Sequence, residues 1–139
     1  MEPIKLSFNV DGENFVSAGE ASTAVKTTLK KMGFPGDTVR RVAIAMYEAE
    51  INMVIHAHGG TVDVEICPDK IVIVLADKGP GIPNIDLAMQ EGYSTAPDDV
   101  RSLGFGAGMG LPNIKKYSDD LEIETELGVG TTLTITINC

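Results

Sequence analysis

The sequence contains no tryptophan, and aromatic residues make up only 5% of its 139 positions. A core built from this chain must rest on Val, Ile, Leu, Ala and Met. Cysteine is nearly absent: Cys67 and Cys139 are too few and too isolated for a disulfide framework or a zinc site. Basic residues are scarce, 11 Lys and Arg against 20 Asp and Glu, for a formal net charge of −9. Duplex nucleic acid needs a basic surface to displace its counterions, which argues against a nucleic-acid partner. An anionic membrane surface is disfavoured for the same reason. No apolar run approaches the roughly 20 residues that span a bilayer. Met1-Glu2-Pro3 lacks the basic segment and apolar run of a signal peptide, so a cytoplasmic location is the expectation. The 43% hydrophobic and 22% charged fractions are ordinary for a soluble globular protein. The length suits one domain over residues 1–139.

Periodicity supplies the elements. Ile4, Leu6, Phe8 and Val10 alternate with polar residues, as in a strand with one buried face. Residues 17–32 carry helical spacing at Ala21, Ala24, Val25, Thr28, Leu29 and Met32, and Gly33 ends that helix. A second helix starts at Pro35-Gly36-Asp37, with Asp37 as N-cap, and runs to about His58. Residues 61–67 and 70–76 form an antiparallel hairpin across Pro68-Asp69. A short helix is expected over 85–91, and residues 92–107 read as a long loop or lid. Residues 109–117 look helical, and 121–126 and 131–137 are strands. The order is β-α-α-β-β-lid-α-β-β. It predicts an α+β fold, a two-layer α/β sandwich with helices on one face of a mixed, mostly antiparallel sheet.

Four constellations carry candidate chemistry. Glu48 and Asn52 lie four residues apart on one helix face, and His56 continues the row. A carboxylate there can take a proton from a nucleophile, and an amide oxygen one turn on can hold a hard cation. A solvated acidic patch explains the same spacing. Asp77-Lys78-Gly79-Pro80-Gly81-Ile82 follows a buried strand. The Asp can accept a hydrogen bond from an exocyclic amine, and the glycines let backbone approach a flat ligand. A strand-ending turn explains it equally. Gly104-Phe105-Gly106-Ala107-Gly108-Met109-Gly110-Leu111 places four glycines at alternate positions before a helix, an anion-binding arrangement whose plain alternative is a hinge. It has neither the Gly-Lys-Ser/Thr of a P-loop nor the preceding strand of a Rossmann fingerprint. Gly128-Val129-Gly130-Thr131-Thr132 is a hairpin turn entering a strand, from which Thr132 can reach a ligand. Net acidity does not exclude a nucleotide triphosphate, because backbone N–H groups and a cation can hold one.

In order and spacing, these four motifs resemble the GHKL ATPase superfamily. The resemblance covers residues 34–137 and is closest to the small switch-protein serine/threonine kinases, the RsbT type, with the RsbW/SpoIIAB anti-sigma-factor kinases as cousins. It implies a GHKL (Bergerat) ATP-binding fold with ATP and Mg2+ as cofactors. Asn52 is implied as the magnesium ligand and Asp77 as the adenine-amine acceptor. Gly79, Gly81 and Ile82 are implied to shape the adenine pocket, with Thr132 close by. Gly104, Gly106, Ala107, Gly108, Met109, Gly110 and Leu111 are implied to wrap the phosphates. Glu48 is implied as the general base for a serine or threonine hydroxyl. Lys78 and Arg101 are candidate phosphate or partner contacts, though surface charge explains both. The implied partner is a STAS-domain anti-sigma-factor antagonist, a sigma factor or a phosphatase, and the family often forms homodimers. The alternative is a nucleotide-gated anti-sigma module with little phosphotransfer.

Overall fold

The computed structural model describes residues 3–11, 19–57, 59–79 and 110–139. Eight elements lie within them. They are β1 (Ile4–Asp11), α1 (Glu20–Met32), α2 (Gly36–Ala57), β2 (Gly59–Ile66), β3 (Lys70–Asp77), α3 (Gly110–Tyr117), β4 (Asp120–Glu126) and β5 (Gly130–Asn138). The short helix expected over 85–91 and most of the glycine lid lie outside the described residues.

The five strands form one sheet in the order β1-β2-β3-β5-β4. Every pairing described is antiparallel, in line with the mostly antiparallel sheet expected. The register explains the alternation seen in the sequence. Phe8 faces Val62, Val62 faces Leu75 and Leu75 faces Leu133, so one pleat face collects the aliphatic side chains of four strands. Ile66, Ile71 and Ile137 make a parallel row, and all three are fully buried. The opposite face carries Val72, Val74, Thr132, Thr134 and Thr136 at its centre.

The helices cover the aliphatic face. α2 presents Val42, Ala45, Met46, Ala49 and Met53 to the sheet, and all are buried. Burying a side chain the size of Val42, Met46 or Met53 contributes about 1.5–3 kcal/mol, and the alanines less. α1 packs beside α2 through Val25 and Leu29, and α3 adds Ile114. No described helix is long and apolar enough to cross a membrane.

Two polar ties fix the helices. The buried Glu50 carboxylate accepts hydrogen bonds from the Gly19, Ala21 and Ser22 backbone N–H groups at 2.8, 3.4 and 3.0 Å. α1 has no side-chain cap of its own, so a residue of α2 satisfies its first turn, with its charge at the positive end of the helix dipole. Asp37 corrects an expectation: α2 already begins at Gly36, so Asp37 sits inside the first turn and pairs with Arg41 at 3.3 Å. Arg41 also reaches Asp119 at 3.0 Å and the Asn138 carbonyl at 2.7 Å, fastening α2 to the sheet. The Asn138 backbone N–H and then Arg41 hold the Asp119 carboxyl below its ordinary range. That contribution to stability is present at neutral pH and is lost as acid protonates Asp119.

Glu50→Ala leaves three buried N–H groups without an acceptor. It is expected to lower the unfolding free energy by about 3 kcal/mol, measured by urea denaturation, with Glu50→Gln retaining part of the loss.

Candidate functional site

α2 separates two glutamates that look alike in the sequence. They are two residues apart, roughly 200° around a helix, and they face different neighbours. Glu50 turns to α1. Glu48 turns to α3, where the Asn113 side chain hydrogen-bonds its carboxylate. Glu48 is half-buried. Burial pushes its carboxyl above the ordinary glutamate range, and Asn113 offsets part of that rise. The result is a carboxylate that binds a proton more readily than an exposed one. Asn113 was not singled out in the sequence, because its role depends on α3 lying against α2. Asn52, one turn beyond Glu48, is also half-buried.

α3 runs antiparallel to α2. Its C-terminal Tyr117 ring lies under Arg40, 5.5 Å from the guanidinium carbon, and Asn113 meets Glu48 further along. Gly110, its first residue, therefore points toward the end of α2 where Asn52 lies. The lid glycines 104, 106 and 108, with Ala107 and Met109, lie outside the described residues, as do Gly81, Ile82 and Arg101; Leu111 is in the first turn of α3. The side chain of His56 is likewise outside them.

Asp77 ends β3 at this same end of the sheet, because α2 leads into Gly59 and Gly60 pairs with Asp77. Its Oδ1 accepts from the Gly79 N–H at 2.9 Å and from the Thr131 N–H at 3.1 Å. The first bond makes the strand-ending turn. Both fall on Oδ1, and among the described residues no hydrogen bond reaches Oδ2. Two glycines let backbone crowd around Asp77. A Cβ on Gly60 would stand 2.2 Å from the Ala76 carbonyl oxygen. A Cβ on Gly130 would stand 2.1 Å from that of Asp77, and Gly130 has φ +150°. The motif glycine Gly79 is buried, whereas Lys78 is exposed.

Thr132 takes its place from the sheet register. It pairs with Ala76 and Glu124, on the pleat face away from the helices. Its neighbour Thr131 shares the face of Asp77, is buried, and donates to it. The Thr131 hydroxyl lies 2.9 Å from that of Thr125. Two adjacent threonines cannot be told apart by spacing alone, because a strand turns successive side chains to opposite faces.

Glu48, Asn52, Asp77, Thr131 and the start of α3 thus converge on one end of a helix-covered antiparallel sheet. The chain belongs to the histidine kinase-like ATPase domain family, whose model matches residues 15–137. An ATPase domain implies that the chain binds ATP. Among individual relatives, the chain is 33% identical over 140 residues to the anti-sigma F factor of Clostridium beijerinckii, with 94% of each chain covered. It is 30% identical over 110 residues to the serine/threonine-protein kinase RsbT of Bacillus subtilis, covering 76% of this chain and 77% of that one. Its fold matches the crystal structure of the RsbU and RsbW domains of Rv1364c from Mycobacterium tuberculosis, with TM-score 0.60 at 15% identity. That match takes in 96% of this chain but 32% of the longer one, and it carries the fold alone.

Gly130→Ala forces the Asp77 backbone to move. It is expected to weaken ATP binding by about tenfold or more, or roughly 1.4 kcal/mol, measured by titration calorimetry.

Proposed function

We propose that the chain is an ATP- and Mg2+-dependent protein serine/threonine kinase that phosphorylates a small STAS-type regulatory protein, within a partner switch controlling a sigma factor or stress response. The observation that carries this reading is Glu48, a half-buried carboxylate of raised proton affinity, steadied by Asn113 at the nucleotide end of α2. A general base works best when its pKa approaches the working pH. The RsbT relative, a serine/threonine-protein kinase by name, points the same way.

The donor set fits the nucleotide. Asp77 Oδ2, which takes no hydrogen bond from the described residues, accepts from the adenine amine, while Gly79 lets backbone approach the ring. In this reading Gly81 and Ile82 continue that wall, and Thr131 takes the place expected for Thr132. The first turn of α3, Gly110 and Leu111, with Gly104, Gly106, Ala107, Gly108 and Met109 before it, offers N–H groups to the phosphates. Asn52 supplies an amide oxygen to Mg2+. With one protein ligand, phosphate oxygens and water would complete the coordination of a bound Mg2+.

ATP, when bound, supplies the γ-phosphoryl group, and Mg2+ offsets the charge on its oxygens. The chain's own part is proton transfer and placement. Glu48 accepts the hydroxyl proton of the incoming serine or threonine as its oxygen bonds to the γ-phosphorus and ADP departs. Asn113 keeps the carboxylate aimed. Asp77 holds the base of the nucleotide still, so that the reacting end is in reach.

The similarity to an anti-sigma F factor supports a second reading, a nucleotide-gated module that binds its target with little phosphotransfer. Glu48 separates the two. Glu48→Gln is expected to keep ATP affinity within a factor of about two while transfer to serine or threonine falls 10²- to 10⁴-fold. Undiminished transfer, or an acid-labile phosphohistidine product, would overturn the base assignment. Because burial raises the Glu48 pKa, the acid limb of kcat/KM should lie above the ordinary glutamate value of about 4.3, with activity lost as pH falls through it.

A further inference from the structure

We infer that the groove between α1 and α2, on the outer side of the helical layer, docks an acidic amphipathic helix of a partner protein. The groove encloses about 360 Å³. Its floor is apolar, made by Phe34, Val39 and Ile44. Its rim is basic, made by Lys26, Lys30 and Arg40, all exposed.

Three cations around one groove are unexpected in a chain with 11 basic residues and a net charge of −9. Every ion pair among the described residues belongs to Arg41, so none of the three rim cations has a carboxylate partner there. Helix-dipole stabilisation accounts for Lys30, in the last turn of α1. It does not account for Lys26, at mid-helix, or for Arg40, near the positive end of α2. Arg40 is also held in place by its stacking over Tyr117.

Asp37, an exposed carboxylate in the first turn of α2, is paired with Arg41, and a larger acidic group lies on the other face of the molecule. Asp63, Asp120, Glu122 and Glu124 occupy the sheet face that no described helix covers. Carboxylates therefore concentrate on the open sheet face, while the groove rim gathers three cations without an ion-pair partner among the described residues. Like charges gathered without partners repel one another, and an incoming carboxylate group relieves that repulsion while its field speeds encounter. The apolar floor selects a partner that brings an aliphatic side chain as well as charge. A groove between two helices suits a third helix whose anchors recur at i, i+3 and i+4. Duplex nucleic acid lacks that anchor and meets a net negative protein.

The groove also stands clear of the nucleotide end. Arg40 precedes Asn52 by twelve residues, about 18 Å along the axis of α2. A partner seated there leaves ATP access open, so docking and nucleotide binding can be measured separately, and failure of the kinase reading leaves this inference standing.

The test uses the full chain, isotope-labelled, titrated with a synthetic amphipathic helix bearing leucines on one face flanked by glutamates. A control peptide replaces each glutamate with lysine. The glutamate peptide is expected to bind, with amide shifts concentrated in residues 26–44 and with affinity falling as salt rises. Combined Lys26→Glu, Lys30→Glu and Arg40→Glu should weaken binding at least tenfold, and Ile44→Asp should do the same. ATP affinity should stay unchanged in both, which checks that each variant is folded. Equal binding of the lysine peptide, shifts centred outside the groove, or full affinity in the charge-reversed variant would each overturn the proposal. Self-association that competes with the peptide would also overturn it, in favour of a second copy as occupant.

Discussion

Helix α2 is the constraint on which the rest of the molecule depends. It has 22 residues, about 33 Å of helix, and it lies across the central strands with Val42, Ala45, Met46, Ala49 and Met53 buried beneath it. Its buried carboxylate Glu50 completes the first turn of α1. Its Arg41 holds Asp119 and the Asn138 carbonyl at the far side of the sheet. Its C-terminal end delivers the chain to Gly59, which fixes where β2, and then β3, must begin. Moving α2 would disturb the core, both neighbouring helices and the position of Asp77 together.

The same helix shows how one sequence run divides into support and chemistry. Glu48 and Glu50 have the same side chain and nearly the same address. Glu50 is fully engaged by backbone N–H groups, so its charge is spent on architecture. Glu48 is only half-buried; burial raises its proton affinity, the Asn113 amide offsets part of that rise, and the carboxylate is not locked away. A carboxylate needs that intermediate setting to serve as a base: enough burial to raise its pKa, enough access to reach a substrate.

Asp77 combines the two roles in one carboxylate. One oxygen ties the Gly79 turn and the start of β5, and the other takes no hydrogen bond from the described residues, which suits the ligand role proposed for it. Gly60 and Gly130 allow the neighbouring strands to close on it from both sides. The turn reading and the ligand reading of this motif are therefore compatible, since the turn is what presents the second oxygen. On the opposite side of α2 from the sheet, the basic rim of the α1–α2 groove is placed by packing, with Arg40 steadied by Tyr117.

The sequence by itself determined the order and type of the described elements, because periods of 3.6 and 2 and the punctuating glycines are local properties of the chain. It also determined that Glu48 and Asn52 share a helix face, and that Asp77 closes a strand. Only the tertiary structure decided which glutamate is free, since that depends on α1 and α3 flanking α2 on different sides. It decided that Thr131 rather than Thr132 meets Asp77, because strand register sets which face a residue takes. It also brought in Asn113, which no local pattern marks. Periodicity specifies how a side chain leaves its own element; what it meets is set by the neighbouring elements, and those come from distant parts of the chain.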